Sequence, residues 1–188
     1  MEQKGYDEKH GTAELRTERL LLRRYRPEDA EPLYRGLGTD PAMYKYSGWN
    51  PWASPEMARE TVMRFIRGYE DPHLYSWVMD EEDAAAGTIG AYDFEDGSIE
   101  VGFSVVPARQ GRGLASEALR KVLGYLAEHE KIPCVRAWCA SENIGSKKVL
   151  EKAGMKQVSV EKDGLTVEGT TYDKLFYEYR GVSYEREN

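Results

Sequence analysis

The sequence predicts a single α/β domain in which helices flank a mixed, mostly antiparallel β-sheet. The chain has 188 residues, 40% of them hydrophobic, which is enough for one sizeable core. Short runs with the two-residue alternation of strands occupy its middle, and helix-like and strand-like runs alternate after them. Because no internal repeat or low-complexity tract divides the chain, we expect one domain over residues 13–181, with tails at 1–12 and 182–188.

The first part of the chain predicts one strand and two helices. Residues 18–25 carry three leucines between arginines, which is typical of a strand. Pro27-Glu28-Asp29 opens the first helix, because acids in a first turn suit the helix dipole. Ser54-Pro55-Glu56 opens the second, with a capping hydroxyl followed by proline at the first helical position. That helix should run to about residue 69.

The second part predicts a strand meander followed by helices and strands in alternation. Three β-like runs separated by turn residues should form the meander: 75–80, 87–94 and 98–106. Apolar residues at helical spacing predict a helix over 113–129. A strand at 135–139 and a helix at 143–153 follow, with Gly154 as a left-handed cap. The last expected strands are 156–161 and 174–179.

Acidic residues outnumber basic ones, 33 to 26, which gives a net charge of −7. This charge argues against nucleic acid or an anionic membrane as a partner, and it suits a cationic or amine-bearing partner better. No run approaches the roughly 20 apolar residues of a membrane span, and residues 1–12 lack the apolar segment of a signal peptide. We therefore expect a cytoplasmic protein, either a monomer or a homodimer, that binds neither nucleic acid nor membrane.

Neither a disulfide nor a metal site is expected. If Cys134 and Cys139 share a strand, they point to opposite faces and lie roughly 16 Å apart, too far to be bridged. The three histidines, His10, His73 and His129, have no metal-ligand spacing.

The segment from Pro107 to Ala115 joins a predicted strand to the strongest predicted helix and contains two glycines. Glycine lets the backbone approach a ligand closely, and the free N–H groups of a helix N-terminus attract phosphate. The segment therefore suits a phosphate or pyrophosphate, although glycines in such a turn can also serve geometry alone. Neither the dinucleotide-binding fingerprint nor the nucleoside-triphosphate P-loop matches it.

The six residues from Gln110 to Ala115 resemble the Gln/Arg-x-x-Gly-x-Gly/Ala signature of the GNAT superfamily of acyl-CoA N-acyltransferases. The chain is similar to the RimJ/RimL branch in three further stretches, 15–23, 99–103 and 143–155, so that the resemblance covers roughly residues 15–180. It implies the GNAT fold, with a sheet splayed at the coenzyme A (CoA) site. It also implies acetyl-CoA as the cosubstrate, with no metal.

The resemblance assigns a donor site to the strand, the loop and the start of the next two helices. Backbone amides of the loop would hold the pyrophosphate of CoA, and the strand before it would bond the pantetheine arm. The arginines of the loop would add charge to the phosphates, or else be solvated surface residues. The predicted donor-site residues are Phe103, Ser104, Val105, Arg109, Gln110, Gly111, Arg112, Gly113, Leu114, Ala115, Ser116 and Asn143.

Acetyl transfer to an amine needs a group that takes the amine proton and a group that supplies a proton to the leaving thiolate. Glu100 is the first candidate for the base, because it shares the polar face of its strand with Gly102 and Ser104. The alternative is a solvent-facing strand residue. Asp93 and Glu95 are weaker candidates near the same rim.

The proton donor differs from that of many relatives. The position at which they carry a tyrosine is Leu150 here, but Asn143-x-x-Ser146 resembles a RimL-like arrangement in which a serine is the acid. Ser146 is therefore the predicted acid and Asn143 a CoA contact, with a helix-capping role as the alternative for both.

Trp49, in the aromatic segment 44–52, is a predicted substrate contact, with simple packing as its alternative. The implied activity is an acetyl-CoA-dependent N-acetyltransferase acting on a primary amine. A protein N-terminus is the acceptor that the RimJ/RimL resemblance suggests, and a small amine such as a polyamine, amino acid or antibiotic is compatible with the charge. A non-catalytic CoA-binding module is the alternative of a different class.

Overall fold

The computed structural model describes residues 11–181, which form an open eight-stranded mixed sheet with helices on both faces. The strands stand in the order β1-β2-β3-β4-β5-β6-β8-β7. They are β1 (Leu15–Arg16), β2 (Leu21–Arg23), β3 (Tyr75–Glu81), β4 (Ala84–Glu95), β5 (Ser98–Val105), β6 (Cys134–Ala140), β7 (Lys156–Val167) and β8 (Thr170–Arg180). The α-helices are α1 (Ala30–Leu33), α2 (Pro55–Gly68), α3 (Leu114–Glu128) and α4 (Ile144–Ala153).

Two predicted strand regions differ from the structure. The strand expected over 18–25 is reduced to β2, which forms a hairpin with β1 before it, because Thr17 turns the chain by exchanging hydrogen bonds with Leu20. The two final strands are longer than expected and form a hairpin of β7 and β8, whose register shifts between Gln157 and Ser159 and between Glu161 and Leu165. Charged, exposed residues such as Lys162 and Asp163 concealed this pairing from a pattern based on apolar alternation.

The helix-start predictions are confirmed. The Ser54 hydroxyl accepts the Met57 N–H at 3.2 Å, and Pro55 is the first residue of α2. Pro27–Asp29 forms a 3-10 turn that leads into α1, and a π-helical segment, Tyr34–Gly38, completes this short helical region. Gly154 ends α4 in the left-handed conformation, with a φ of +99°.

Two apolar clusters lie on the two faces of the sheet. The larger cluster joins the sheet to α3 and α4 through residues such as Ile99, Val101, Leu119 and Leu150. The smaller cluster places α1 and α2 against the other face, where Val78 of β3 contributes to it. Alternation along the strands therefore decides which side chains face which helices.

The sheet opens between β5 and β6, its one parallel pair. These strands pair only where Ser98–Glu100 lies beside Cys134–Arg136. Beyond that point β6 stays paired with β8, and β5 continues alone along β4. We call the gap between residues 102–105 of β5 and 137–140 of β6 the cleft. Because parallel strands end at the same edge, α3 and α4 both begin near its mouth.

The described part of the chain begins before the expected domain boundary at residue 13. Thr12 is 2% exposed, and its hydroxyl accepts the Ser76 N–H at 3.1 Å. The Gly11 carbonyl accepts a hydrogen bond from the Tyr125 hydroxyl at 2.6 Å. Packing against the sheet therefore includes two residues assigned to the tail, while the rest of both expected tails, 1–10 and 182–188, lies outside the described residues.

Cys134 and Cys139 are free and buried on β6, and no helix in residues 11–181 is long and apolar enough to cross a membrane. Burial raises the pKa of both thiols, that of Cys139 to about 11. Both cysteines should therefore be protonated at pH 8.

This burial gives a first testable prediction. Ellman's reagent needs an accessible thiolate. At pH 8 the native protein should react only over the time course of unfolding, and two thiols should react at once in denaturant. Immediate reaction of either thiol in the native protein would contradict the packing of β6.

Candidate active site

The loop between β5 and α3 exposes the amino end of α3 beside the mouth of the cleft. Gly113 precedes the helix in the left-handed conformation, with a φ of +82°, and Gly111 has a φ of +74°. The Glu117 N–H is bonded to the Gly113 carbonyl. The N–H groups of Leu114–Ser116 therefore precede the hydrogen-bond ladder of α3 and are available to an anion.

Gln110 holds this loop against the strand that leads into it. Its side-chain amide donates to the Val105 carbonyl at 3.0 Å and lies 3.3 Å from the sulfur of Met43. This predicted donor-site residue therefore fixes the turn between β5 and the loop in this structure.

The two arginines of the loop share a buried carboxylate. Arg112 donates to both oxygens of Glu81 at 2.8 Å, and Arg109 donates to Oε2 of the same carboxylate. The Glu81 side chain is 4% exposed, compared with 49% for Arg112. Burial raises the pKa of Glu81, but the hydrogen bonds from Arg112 and Arg109 outweigh it and hold the pKa below its usual value. The sequence left open whether both arginines bind phosphate or are solvated surface residues, and the structure shows them bound to Glu81.

A second ion pair holds the other side of the loop. Arg19, in the turn between β1 and β2, donates through Nε to Glu117 at 2.8 Å. Its Nη1 donates to the Arg112 carbonyl at 2.8 Å, and the Thr17 hydroxyl also donates to Glu117. The loop is thus attached to two different parts of the sheet.

Glu100 lies where β5 and β6 begin to separate. It is half-buried, on the sheet face shared with α1 and α2, and its Oε1 accepts the Trp138 indole N–H at 3.0 Å. This bond joins the two strands across the closed end of the cleft. Tyr92 lies opposite Glu100 on β4, and burial, followed by the negative charge of Glu100, raises the pKa of Tyr92 to about 12.

Gly102 makes room for this arrangement. A Cβ at residue 102 would lie 2.7 Å from the Tyr92 hydroxyl, so only glycine fits there without displacing the tyrosine. The carboxylate of Glu100 therefore lies beside the Trp138 and Tyr92 side chains and is not freely solvated.

Asp93 and Glu95, the weaker candidates for a base, are both exposed at the other end of β4. The pairing of β4 with β5 shifts register between Tyr92 and Glu95, and Asp93 has a φ of +53°. This bulge turns them toward the hairpin end of the strand pair and away from the mouth of the cleft.

Asn143 and Ser146 stand at the start of α4. The Asn143 side chain accepts the Ser146 N–H at 3.1 Å, so Asn143 caps α4 in this structure, and its contact with CoA stays a prediction. The half-buried Ser146 hydroxyl has no hydrogen-bond partner within residues 11–181. Leu150, at the position where many relatives carry a tyrosine, has no hydroxyl and is buried in the core at 1% exposure.

Trp49 lies on an exposed groove beside α2. Its side chain is 59% exposed and lines a groove of about 460 Å³ along α2, together with Met57, Glu60, Thr61, Arg64 and Arg67. The contacts of this predicted substrate residue in the structure are therefore those of the groove along α2.

The remainder of the aromatic segment 44–52 contacts the edge of the sheet formed by β7 and β8. The Tyr46 hydroxyl donates to the Glu142 carbonyl at 3.1 Å, and its ring meets Tyr172 of β8 edge-on at 5.4 Å. The backbone at Gly48 approaches Val167 so closely that a Cβ would lie 3.2 Å from it. The segment thus spans from α1 and α2 to the hairpin of β7 and β8.

An aromatic surface follows Glu100 across β6 and β8. The Lys174 ammonium lies 4.2 Å from the centre of the Trp138 ring and 5.1 Å from that of Phe176. Aromatic faces attract alkylammonium groups. The surface beside Glu100 is therefore suited to cations, and in this structure it holds one from the chain itself.

Sequence reasoning missed Glu81, Trp138 and Arg19. Each acts through a residue distant in sequence, and only the folded sheet brings the partners together. The single signal available for Glu81 and Arg19 was a charged residue at a strand end or in a turn, which is too common to select them, and Trp138 had no signal. Within residues 11–181 no group of His, Cys, Asp or Glu could hold a metal ion.

The geometry of Gly113 gives a second prediction, with a control in the same helix. A Cβ on Gly113 meets only the end of the Arg19 side chain, at 3.6 Å, so Gly113→Ala should cost about 1 kcal/mol through backbone strain alone. At Gly124, inside α3, a Cβ meets nothing within 4 Å, and Gly124→Ala should stabilise by about 0.5–1 kcal/mol. Urea unfolding measures both; the same sign for the two variants would contradict the left-handed geometry at Gly113.

Comparison with known proteins shows the family. The family described as "Acetyltransferase (GNAT) domain" matches residues 19–156, more than half of the chain. The uncharacterized N-acetyltransferase YoaA of Bacillus subtilis (strain 168) is 27% identical over 167 residues, which are 87% of this chain and 94% of that protein.

Two solved structures share the fold at low identity. One is RimL, a ribosomal L7/L12 alpha-N-protein acetyltransferase in complex with coenzyme A, with a TM-score of 0.80, 18% identity and coverage of 87% and 95% of the two chains. The other is the microcin C7 self-immunity acetyltransferase MccE in complex with acetyl-CoA and AMP, with a TM-score of 0.80, 15% identity and coverage of 87% and 93%. The open sheet, the glycine loop before α3 and the family match agree with the expectation from the sequence: this chain belongs to the GNAT family and is an N-acetyltransferase.

Proposed function

We propose that this enzyme binds acetyl-CoA in the cleft and transfers the acetyl group to a primary amine that approaches Glu100. The observation that carries the proposal is the cleft itself, which has free helix amides at its mouth and a carboxylate at its closed end. The cleft would therefore hold the donor at the helix amides and place its acetyl group near Glu100, which would accept the proton.

The residues present fit an acyl-CoA. Beyond Glu100, the side of β5 that faces β6 has no strand partner, so its main-chain groups, apart from the Val105 carbonyl that accepts from Gln110, are available to an amide-containing arm. The N–H groups at the start of α3 suit a pyrophosphate, and a Cβ at Gly111 would meet nothing within 4 Å, so the loop faces open space. The complexes of RimL with coenzyme A and of MccE with acetyl-CoA support this choice of donor.

Glu100 and Ser146 suit opposite ends of the proton path. Glu100 is on the sheet face of α1 and α2, whereas α4, which carries Ser146, packs on the opposite face. A molecule lying in the cleft would therefore meet the carboxylate from one face and the hydroxyl from the other.

When bound, acetyl-CoA supplies the thioester whose acetyl group is transferred. Glu100 takes a proton from the bound ammonium, directly or through water, and releases it to solvent, so that the neutral amine can attack the thioester carbonyl. As the N–C bond forms and the C–S bond breaks, Ser146 gives its proton to the leaving sulfur and Glu100 takes the second proton of the nitrogen. Glu100 then releases this proton to water, and Ser146 regains a proton from water. The unpartnered hydroxyl of Ser146 supports this role, while Asn143 holds the backbone around it.

The acceptor side favours an alkylammonium compound. Trp138 and Phe176 already hold the Lys174 ammonium beside Glu100, and the net charge of −7 attracts cations at longer range. A primary amine enters as its ammonium form and must lose a proton before it attacks, which is the step assigned to Glu100.

Two acceptor classes follow from two different observations. The RimL neighbour, described as an alpha-N-protein acetyltransferase, supports a protein N-terminus. Tyr46, in contact with Tyr172 and Glu142, narrows the path of an acceptor toward Glu100 from the side of β8 and α4, which favours a compact amine. A cytoplasmic location, where acetyl-CoA is made and thiols stay reduced, fits the two unpaired cysteines.

Donor binding gives a third prediction, tested by thermal shift. A ligand that binds only the folded state raises the melting temperature. CoA and acetyl-CoA should raise it and NAD should not, and Gly113→Trp should abolish the shift by filling the space before the helix amides.

Gly169→Trp is the matched control. Gly169 also has a positive φ, +80°, and its Cβ would also meet nothing within 4 Å, but it lies in the turn between β7 and β8. This variant should keep the shift with CoA. A wild-type protein that shows no shift at saturating acetyl-CoA would contradict the donor site.

Catalysis gives a fourth prediction, measured as free thiol released from acetyl-CoA in the presence of peptides with free N-termini and of small amines. Glu100→Gln should lower turnover about 100-fold or more, because general-base catalysis contributes that much. Trp138→Phe, which removes the hydrogen bond to Glu100, should lower turnover about tenfold in the wild-type background and have little effect in Glu100→Gln. Binding of CoA without turnover on any amine would favour the non-catalytic module instead.

A further inference from the structure

Glu81 is a buried carboxylate to which the sequence assigned no role, and it carries both arginines of the loop that the proposed function places around the donor. It stands at the end of β3, and a sharp turn at Glu82 and Asp83, both at positive φ, follows at once. The strand end is thus a rigid anchor, and the loop with its arginines is attached to it across a separation of about thirty residues.

The geometry is specific at Arg112. Its two terminal nitrogens each donate to a different oxygen of Glu81, both at 2.8 Å, which is the two-bond arrangement that arginine forms with a carboxylate or a phosphate. Arg109 adds a bond to Oε2 and one of 3.4 Å to the Glu81 carbonyl. The guanidinium N–H groups that donate to Glu81 are therefore not free to donate to a phosphate at the same time.

The charges show what this arrangement leaves for a ligand. Two guanidinium groups around one carboxylate leave one net positive charge beside the start of α3, so the loop remains attractive to an anion. Arg112 and Gly113 are adjacent in the chain, so holding the Arg112 side chain constrains the position of the helix amides that follow. Arg19 acts in the same direction from the other side, through the Arg112 carbonyl.

We infer that Glu81 is a positioning residue for the donor loop and that Arg109 and Arg112 act on the donor through it, by holding the loop amides in place, and not by binding its phosphates. This inference rests on the proposed function, because it assigns the loop amides to the pyrophosphate. It differs from both roles that the sequence left open for the two arginines, phosphate contacts and solvated surface residues. The loop is then already shaped before the donor arrives.

The test compares five proteins: wild type, Glu81→Gln, Glu82→Gln, Arg112→Gln and the double variant Glu81→Gln with Arg112→Gln. Glu82→Gln is the matched control, because it changes the net charge equally at the adjacent, exposed position. The dissociation constant of CoA is measured by calorimetry, and KM for acetyl-CoA and kcat are measured separately. Arg112 is half exposed, so its variant tests the same contact even if Glu81→Gln does not fold.

Glu81→Gln and Arg112→Gln should each weaken CoA binding and raise KM for acetyl-CoA about tenfold, with kcat at saturation changed less than about threefold. The double variant should bind CoA no more weakly than either single variant, and Glu82→Gln should match the wild type within about twofold.

Three results would overturn the inference. If Arg112→Gln weakens CoA binding as much in the Glu81→Gln background as alone, Arg112 binds the donor directly. If Glu81→Gln binds CoA as the wild type does, or more tightly, Glu81 does not position the loop. A fall in kcat with no change in KM would assign it to another step. Failure of the wild type to bind CoA at all would instead contradict the proposed function, and is distinguishable from these outcomes.

Discussion

The separation of β5 from β6 after Glu100 is the constraint on which the rest of the site depends. While the strands pair, each satisfies the main-chain groups of the other; beyond Glu100, β6 has only β8 and β5 has only β4 as a partner. Unpaired main-chain groups are costly when they are buried, so the cleft is stable because it remains open to solvent or to a ligand that bonds to it. The helices that follow both strands begin at its mouth, which brings the loop amides and Ser146 to the same edge of the sheet.

Side chains from distant parts of the chain then hold this opening in shape. The bond from Trp138 to Glu100 crosses the closed end, and Glu81 and Arg19 hold the loop at the mouth from two different strand ends. Arg112 is half exposed but the Glu81 side chain is buried, so loss of an arginine would leave a buried carboxylate short of a partner. We therefore expect these contacts to fix the geometry of the loop and also to stabilise the fold.

Features with a local cause could be predicted from the sequence, and features that arise from distant contacts could not. The Ser54 cap, the glycines of the loop and the Gly154 end of α4 each depend on a few neighbouring residues, and the structure confirms them. The family resemblance also gave the correct fold. The sequence predicted β7 and β8 too short, because a strand is recognised by apolar residues that alternate with polar ones. Most of β7 is exposed and carries few buried apolar residues. The partners of Arg112 and Glu100 could not be found at all, because Glu81 and Trp138 are distant in sequence and their types are common.

Hydrogen–deuterium exchange with and without CoA tests the central claim, that the donor lies in the cleft, most directly. A ligand bonded to the free side of β5 and to the start of α3 should slow exchange in residues 102–105 and 111–117, and leave the groove beside α2 unchanged. Amide exchange at the end of β3, around Glu81, should be nearly the same with and without CoA. Protection confined to the groove lined by Trp49 and Arg64, with none in the cleft, would contradict the account.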